Sequence, residues 1–325
     1  MKKVKKKKIF LTVLLVIIVG AFAAIQYFGP TMGPLLFGKS IYLLKPSPKR
    51  IGSIAFDYMD RMGLYTSGDD WQSQRKNFKE LLTSSKDEES LRENLEKAVK
   101  VAGGKHSFIM DTYSDKEAEE IFVEPQGSFE NGIVYVKLPA YMGNQELGKA
   151  YADKLVSFFD RREIEGVIVD LRGNTGGDMG PMLAGLSPII EDGTVMYFKM
   201  GGSQTPVKLE DGANIGGGSP SKVNLKKKIR DIPIAVLTDE KTASSAEAIL
   251  VILKGNENTK VFGKDSAGFV SANSTFNLTE DMTMVLTNSN YMDKNEKIYP
   301  EEPIAPDVPS DNPIEDAKNY IEENK

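Results

Sequence analysis

The chain contains no cysteine and a single histidine, His106. Without cysteine, disulfides and thiolate metal sites are excluded. One imidazole with no thiol beside it leaves no His/Cys donor cluster, so a zinc-dependent protease is set aside. No Gly-x-x-x-x-Gly-Lys-Ser/Thr phosphate loop occurs, and no basic patch is interleaved with aromatics. Phosphate-loop chemistry and nucleic-acid partners are therefore not expected. Neither an internal repeat nor a composition bias marks the chain as a solenoid or a disordered tail.

Acidic residues are missing from the first 56 positions, where Lys2, Lys3, Lys5, Lys6, Lys7 and Lys8 cluster. Residues 9–28 then form an apolar run interrupted only by Thr12, Gly20 and Gln26. Twenty helical residues at about 1.5 Å each reach the roughly 30 Å of a bilayer's hydrocarbon core. The lysine cluster places residues 1–8 in the cytoplasm, 9–28 across the membrane and the rest outside the cell. A cleaved signal peptide is the rival reading, with Ala21-Phe-Ala23 as a processing site. Beyond residue 28 the chain carries 35 basic against 46 acidic groups, a net of −11. Such a field draws cationic peptides and quickens their encounter, although acidic surfaces also serve solubility alone.

Residues 29–48, rich in glycine and proline, read as a linker. Helical patterns follow over 51–62, 69–82 and 84–102, so 49–104 is expected to be a small helical region. From 105 to 325 the pattern becomes α/β. Alternation over 133–138 and the apolar stretch 165–170 mark strands, with a helix at 145–162 between them. Residues 193–228 are polar and glycine-rich with strand-like pieces. They are expected to form an inserted β-rich cap beside the site, or an ordinary surface excursion.

Ile232-Pro-Ile-Ala-Val-Leu-Thr-Asp239 reads as a buried strand, and 246–254 as a helix closed by Gly255. Ser244 and Ser245 stand at the junction. A serine there presents its hydroxyl beside backbone N–H groups, which suits a nucleophile. Thr242, Ser244 and Ser245 could equally be helix caps.

Three ordered segments weigh against a mere cap. The strand-turn-helix with Thr242-Ala-Ser-Ser-Ala-Glu247, the turn in Gly166-Val-Ile-Val-Asp-Leu-Arg-Gly-Asn-Thr-Gly-Gly177, and Val261-Phe-Gly-Lys-Asp-Ser-Ala-Gly268 resemble the tail-specific (C-terminal processing) serine peptidases. The resemblance covers about residue 131 to the C-terminus. It implies an α/β fold: a tail-specific protease core of crotonase/Clp-like βαβ units, carrying the β-rich cap, the N-terminal helical region and one transmembrane helix. It makes Ser244 the nucleophile, Ser245 an oxyanion-hole amide, and Gly176 or Gly177 the second donor. The span 108–129 is too short for the PDZ module many members carry.

The general base departs from the commonest pattern. Where many members have a lysine after Gly-x-x-x-x-Gly, this chain has Phe269, and Lys264 occupies a slot that usually holds an acid. Gly103-Gly-Lys-His-Ser-Phe108 is similar to the histidine element of the branch that uses Ser and His, which makes His106 the base. Imidazole suits the role because its ordinary pKa lies near 6.5. Glu301 or Glu302 could orient it, or Ser244 and His106 act as a dyad.

The missing lysine, the Lys-His-Ser-Phe element and the anchor together resemble the membrane-anchored branch that clips the tail of nisin-like cationic lanthipeptides. The resemblance implies a cationic peptide substrate, antimicrobial resistance, no metal or organic cofactor, and a monomer. A housekeeping processing peptidase and a non-catalytic peptide-sequestering protein are the alternatives.

Overall fold

The computed structural model describes residues 2–37, 40–112 and 115–325. The chain forms two compact units, one of Met1–Thr112 with Asn273–Asn288, the other of Tyr113–Ala272 with Ser289–Lys325. Helices α1 (Lys2–Phe37), α2 (Pro48–Met62), α3 (Asp69–Ser84) and α4 (Glu88–Gly103) precede strand β1 (Phe108–Met110). Next come α5 (Asp115–Ile121), β2 (Gln126–Glu130), β3 (Ile133–Lys137), α6 (Gln145–Ser157), β4 (Gly166–Asp170) and α7 (Met179–Gly185). Strands β5 (Gly193–Met200), β6 (Ser203–Glu210), β7 (Ala213–Ile215) and β8 (Ile234–Thr238) lead to α8 (Ser245–Lys254). The chain closes with β9 (Thr259–Gly263), β10 (Ser271–Asn277), β11 (Thr283–Asp293), β12 (Val308–Pro309) and α9 (Pro313–Asn324).

In the first unit, α2 begins where the Ser47 hydroxyl accepts the Arg50 N–H at 3.3 Å and Pro48 supplies a preset φ. Helix α4 begins at Asp87, whose carboxylate accepts the Ser90 N–H at 2.9 Å. The apolar faces of α2, α3 and α4 meet around Trp71, which stacks between Phe56 and Phe78. Phe276, Leu278, Met282, Met284 and Leu286 join this core from the β10–β11 hairpin. Strand β1 pairs antiparallel with β11, Phe108 opposite Val285. Residues 105–112, expected with the protease core, therefore belong with the helical unit. The reason is that the hairpin's apolar face is covered by these helices.

Helix α1 holds the apolar run, and its portion Lys8–Gly33 is long and apolar enough to cross a membrane. It continues to Phe37, so 29–37 are helical where a linker was expected. Arg50 and Tyr58 hold these extra turns by donating to the carbonyls of Tyr27 and Thr31. The side chains of residues 2–7 in the expected basic segment 1–8 lie outside the described residues.

The second unit is built on a six-stranded sheet in the order β12-β9-β8-β4-β3-β2, parallel except for β2. Strand period decides its two faces. Val134, Val136, Val167, Val169, Ile234, Val236 and Val261 join the large core with α6, α7 and α8. Ile133, Ile168, Ala235, Leu237 and Phe262 point the other way, under Ala317 and Ile321 of α9. Residues 193–228 contain the antiparallel meander β5-β6-β7, and β5 also pairs with the last residues of β11. Val195, Met196, Val207 and Leu209 are buried in the main core, so this segment is part of the body of the unit.

Gly166 has no side chain because Ile321 fills the space: a Cβ there would lie 2.3 Å from it. Ile321 is fully buried. Ile321→Ala is expected to cost about 2–5 kcal/mol, read as a lower urea midpoint with unchanged slope.

Candidate active site

Strands β4 and β8 lie side by side and parallel, Asp170 opposite Leu237. The turns that leave their carboxyl ends are therefore neighbours, and open parallel sheets place their ligands in such crevices. Hydrogen bonds join the two turns. The Gly173 N–H donates to Asp239 Oδ1 at 3.0 Å, the Thr242 hydroxyl to the Leu171 carbonyl at 3.0 Å, and the Ala243 N–H to the Asn174 carbonyl at 2.9 Å. Asn174 and Thr242 are both fully buried. The Asn174 side-chain amide reaches on to the Leu138 carbonyl at 3.0 Å, which ties the loop after β3 to the same construction.

Ser244 sits at the end of the second turn, half-buried, with φ 55° and ψ −117°. That conformation favours glycine and costs a residue with a Cβ about 1–3 kcal/mol. Glu247 holds it. Its Oε2 accepts the Ser244 N–H at 2.8 Å, while Oε1 accepts the Ser266 hydroxyl at 2.6 Å and the Gly268 N–H at 2.7 Å. The carboxyl is fully buried, and burial raises its pKa above the ordinary 4.5 even though these donors pull it down.

The glycine turn backs this serine. A Cβ on Gly176 would lie 2.7 Å from the Ser244 Cβ and 3.0 Å from the Ser245 nitrogen. Gly176 and Gly177 both have φ 102°. The Gly176 N–H is already engaged, donating to Asn174 Oδ1 at 2.8 Å. The Ser245 hydroxyl donates to the Gly177 carbonyl at 2.5 Å. The N–H groups of Gly177 and Ser245 have no hydrogen-bond partner among the described residues. Next to this turn, Asp178 Oδ1 accepts the N–H groups of Gly180 and Ser219, each at 2.9 Å, and so fastens the loop after β7.

Ser244, Ser245, Gly176 and Gly177 thus come together in the second unit. His106 belongs to the first, where it is 7% exposed. A buried polar chain sets its backbone. Ser107 Oγ donates to Thr287 Oγ1 at 3.0 Å and accepts the Thr287 N–H at 2.9 Å. Thr287 Oγ1 donates to Asn273 Oδ1 at 2.8 Å, and Asn273 Nδ2 donates to the His106 carbonyl at 3.3 Å. Gly103 clears room for this chain, since a Cβ there would lie 2.0 Å from Ser107 Oγ.

Other expectations find their places in the second unit. Lys264 is exposed and paired with Glu240 at 3.2 Å. Glu301 accepts the Ser271 hydroxyl at 2.6 Å. Sequence reading did not assign positioning parts to Asn174, Asp239, Thr242, Glu247 and Ser266. Their polar character inside otherwise apolar or turn segments was the available signal. Asp170, at the end of β4, is also fully buried. Burial pushes its pKa up, but hydrogen bonds from Arg172 at 2.9 and 2.6 Å and from Tyr135 at 2.6 Å bring it below the ordinary 3.8.

Residues 132–310 match the profile of Peptidase family S41. The chain is 38% identical over 284 residues to the nisin-resistance protein of Lactococcus lactis subsp. lactis, covering 87% of this chain and 89% of that protein. Among solved structures, a lipoprotein from Streptococcus agalactiae superposes with a TM-score of 0.76 at 28% identity, covering 88% of this chain and 99% of the other. The photosystem II D1 C-terminal processing protease shares the fold, with a TM-score of 0.55 at 12% identity over 82% of this chain and 94% of its own.

Glu247→Gln keeps the shape but turns an amide NH2 toward one of the donors. The variant should lose about 1–3 kcal/mol, measured by urea unfolding at neutral pH. Because the folded pKa of Glu247 is raised, its own pH-linked contribution is full below 4.5 and declines as pH rises through the folded value. The glutamine variant should lack that part of the stability-pH slope.

Proposed function

Because this chain belongs to peptidase family S41, a family of serine peptidases, we propose that it is a membrane-anchored extracellular serine peptidase. It cleaves the C-terminal tail of nisin-like cationic lanthipeptides and so confers resistance to them. The chemistry rests on one observation above all. Ser244 stands in a strained turn with the unpartnered amides of Ser245 and Gly177 beside it. The substrate class rests on the likeness to the L. lactis nisin-resistance protein, and the acidic balance beyond residue 28 suits a cationic peptide.

In the proposed reaction His106 accepts the proton of Ser244 Oγ as that oxygen attacks the peptide carbonyl. The oxyanion forms between the N–H groups of Ser245 and Gly177, each worth about 3–4 kcal/mol in the transition state. Gly177 is preferred to Gly176, whose N–H is spent on Asn174. His106 then gives its proton to the leaving amine. Water, deprotonated by His106, attacks the acyl-serine, and the returning proton restores Ser244. No metal or organic cofactor enters these steps. The anchor is α1, with the lysine cluster inside and both units outside.

Nisin incubated with the detergent-solubilised full chain should yield a fragment lacking a few C-terminal residues by mass spectrometry. Ser244→Ala should yield none, and His106→Ala should slow cleavage by at least about 100-fold. Nisin left intact while another tail-bearing peptide is cut would reassign the substrate and keep the chemistry. Protection of cells by the Ser244→Ala variant equal to that of the unaltered protein would sink the peptidase reading in favour of sequestration.

A further inference from the structure

The outer end of α1 is fastened to the rest of the first unit in a way that a plain membrane tether does not require. Gln26 is the most polar side chain in the apolar run of residues 9–28. Its Oε1 accepts the N–H groups of Leu43 at 3.1 Å and Leu44 at 2.9 Å, and its Nε2 donates to the Leu44 carbonyl at 2.6 Å. One side chain of the helix thereby satisfies three backbone groups of a segment that returns alongside it. Close to hydrocarbon this matters, because an unpaired backbone group there costs several kcal/mol. In water the same groups would be solvated without help.

The two leucine side chains of that returning segment point outward. Leu43 is 54% and Leu44 63% exposed, and Tyr27 and Phe28 on the helix beside them are about as open. Tyrosine and other amphipathic rings concentrate at the level of lipid headgroups. Gly29 permits the close approach: a Cβ there would lie 2.0 Å from the Ile41 carbonyl oxygen. Arg50 of α2 completes the junction. Its guanidinium donates to the Tyr27 carbonyl at 3.1 Å and to the Thr31 hydroxyl at 3.3 Å, and lies 4.9 Å above the Tyr27 ring. The Tyr58 hydroxyl donates to the Thr31 carbonyl.

We propose that residues 41–44 form a second membrane contact, with Leu43 and Leu44 seated in the outer-leaflet interface beside the end of α1. This rests on the reading of α1 as a retained membrane anchor. The occupant is lipid because the patch is continuous with the membrane helix itself and its backbone is already satisfied from that helix. The consequence is a helical unit held at a fixed height on the bilayer, where a free linker would let it wander.

The absence of cysteine makes the test direct, since any introduced thiol is unique. Full-length Leu44→Cys, Val16→Cys and Lys76→Cys proteins would each carry an environment-sensitive fluorophore. Each is reconstituted in phosphatidylcholine-phosphatidylglycerol vesicles with spin-labelled lipids, the label shallow or deep in the acyl chain. The Leu44 label should be quenched mainly by the shallow spin label, the Val16 label by the deep one, and the exposed Lys76 label by neither. Adding Gln26→Leu should release the Leu44 label to water and leave the Val16 label unchanged. If the Val16 label is quenched while the Leu44 label behaves like Lys76, the proposal is overturned and the anchor stands. A Leu44 label shielded from aqueous iodide yet untouched by either lipid quencher would mean a protein contact, which also overturns it. An unquenched Val16 label removes the anchor and the proposal together.

Discussion

The carboxylate of Glu247 gathers the Ser244 N–H, the Ser266 hydroxyl and the Gly268 N–H into one buried knot. Burying a carboxyl group costs several kcal/mol unless its lone pairs find donors. Here the donors come from separate points of the chain, the start of α8 and the loop after β9. The strained backbone of Ser244 is sustained because that knot over-determines it. The loop after β9 is in turn fixed to the closing segment before β12, since Ser266 also accepts the Ile304 N–H at 2.8 Å. Removing the carboxylate would therefore loosen the serine, the loop and the closing segment together.

A second constraint comes from the sheet. Parallel pairing of β4 with β8 brings their exits within reach of each other, and Asn174, Asp239 and Thr242 convert that proximity into a rigid pair of turns. Asn174 spends both ends of its amide on backbone. Its oxygen takes the Gly176 N–H, which leaves Gly177 as the turn's open donor beside Ser245. The turn's two glycines thus divide the work. Gly176 lets the turn lie against the Ser244 Cβ, and Gly177 approaches the Tyr141 carbonyl so closely that a Cβ would stand 1.9 Å from it.

The histidine is held by different means. Its segment is anchored through Ser107 and Thr287 to a hairpin nearly two hundred residues away in sequence, inside a core of α-helical side chains. Because Ser107 and Thr287 are both fully buried, each hydroxyl must find its partner within the chain, and together with Asn273 they do.

Much of this was legible in the chain itself. Alternation over 133–138 and the apolar stretches 165–170 and 232–239 marked parallel strands, Gly255 marked a helix end, and the segments holding Ser244 and Gly177 carried the family. These signals are local: they follow from side-chain spacing, cap chemistry and the need for glycine at positive φ. The sequence alone also determined that no thiol and only one imidazole were available for chemistry. Tertiary structure decided what depends on residues far apart. It grouped residues 105–112 and 273–288 with the helices, because apolar hairpin side chains were needed to complete that core. It selected Gly177 over Gly176 as the open amide, because Asn174 occupies the other. It made Glu247 the support of Ser244, because only folding brings Ser266 and Gly268 to the same carboxylate and so makes its burial tolerable.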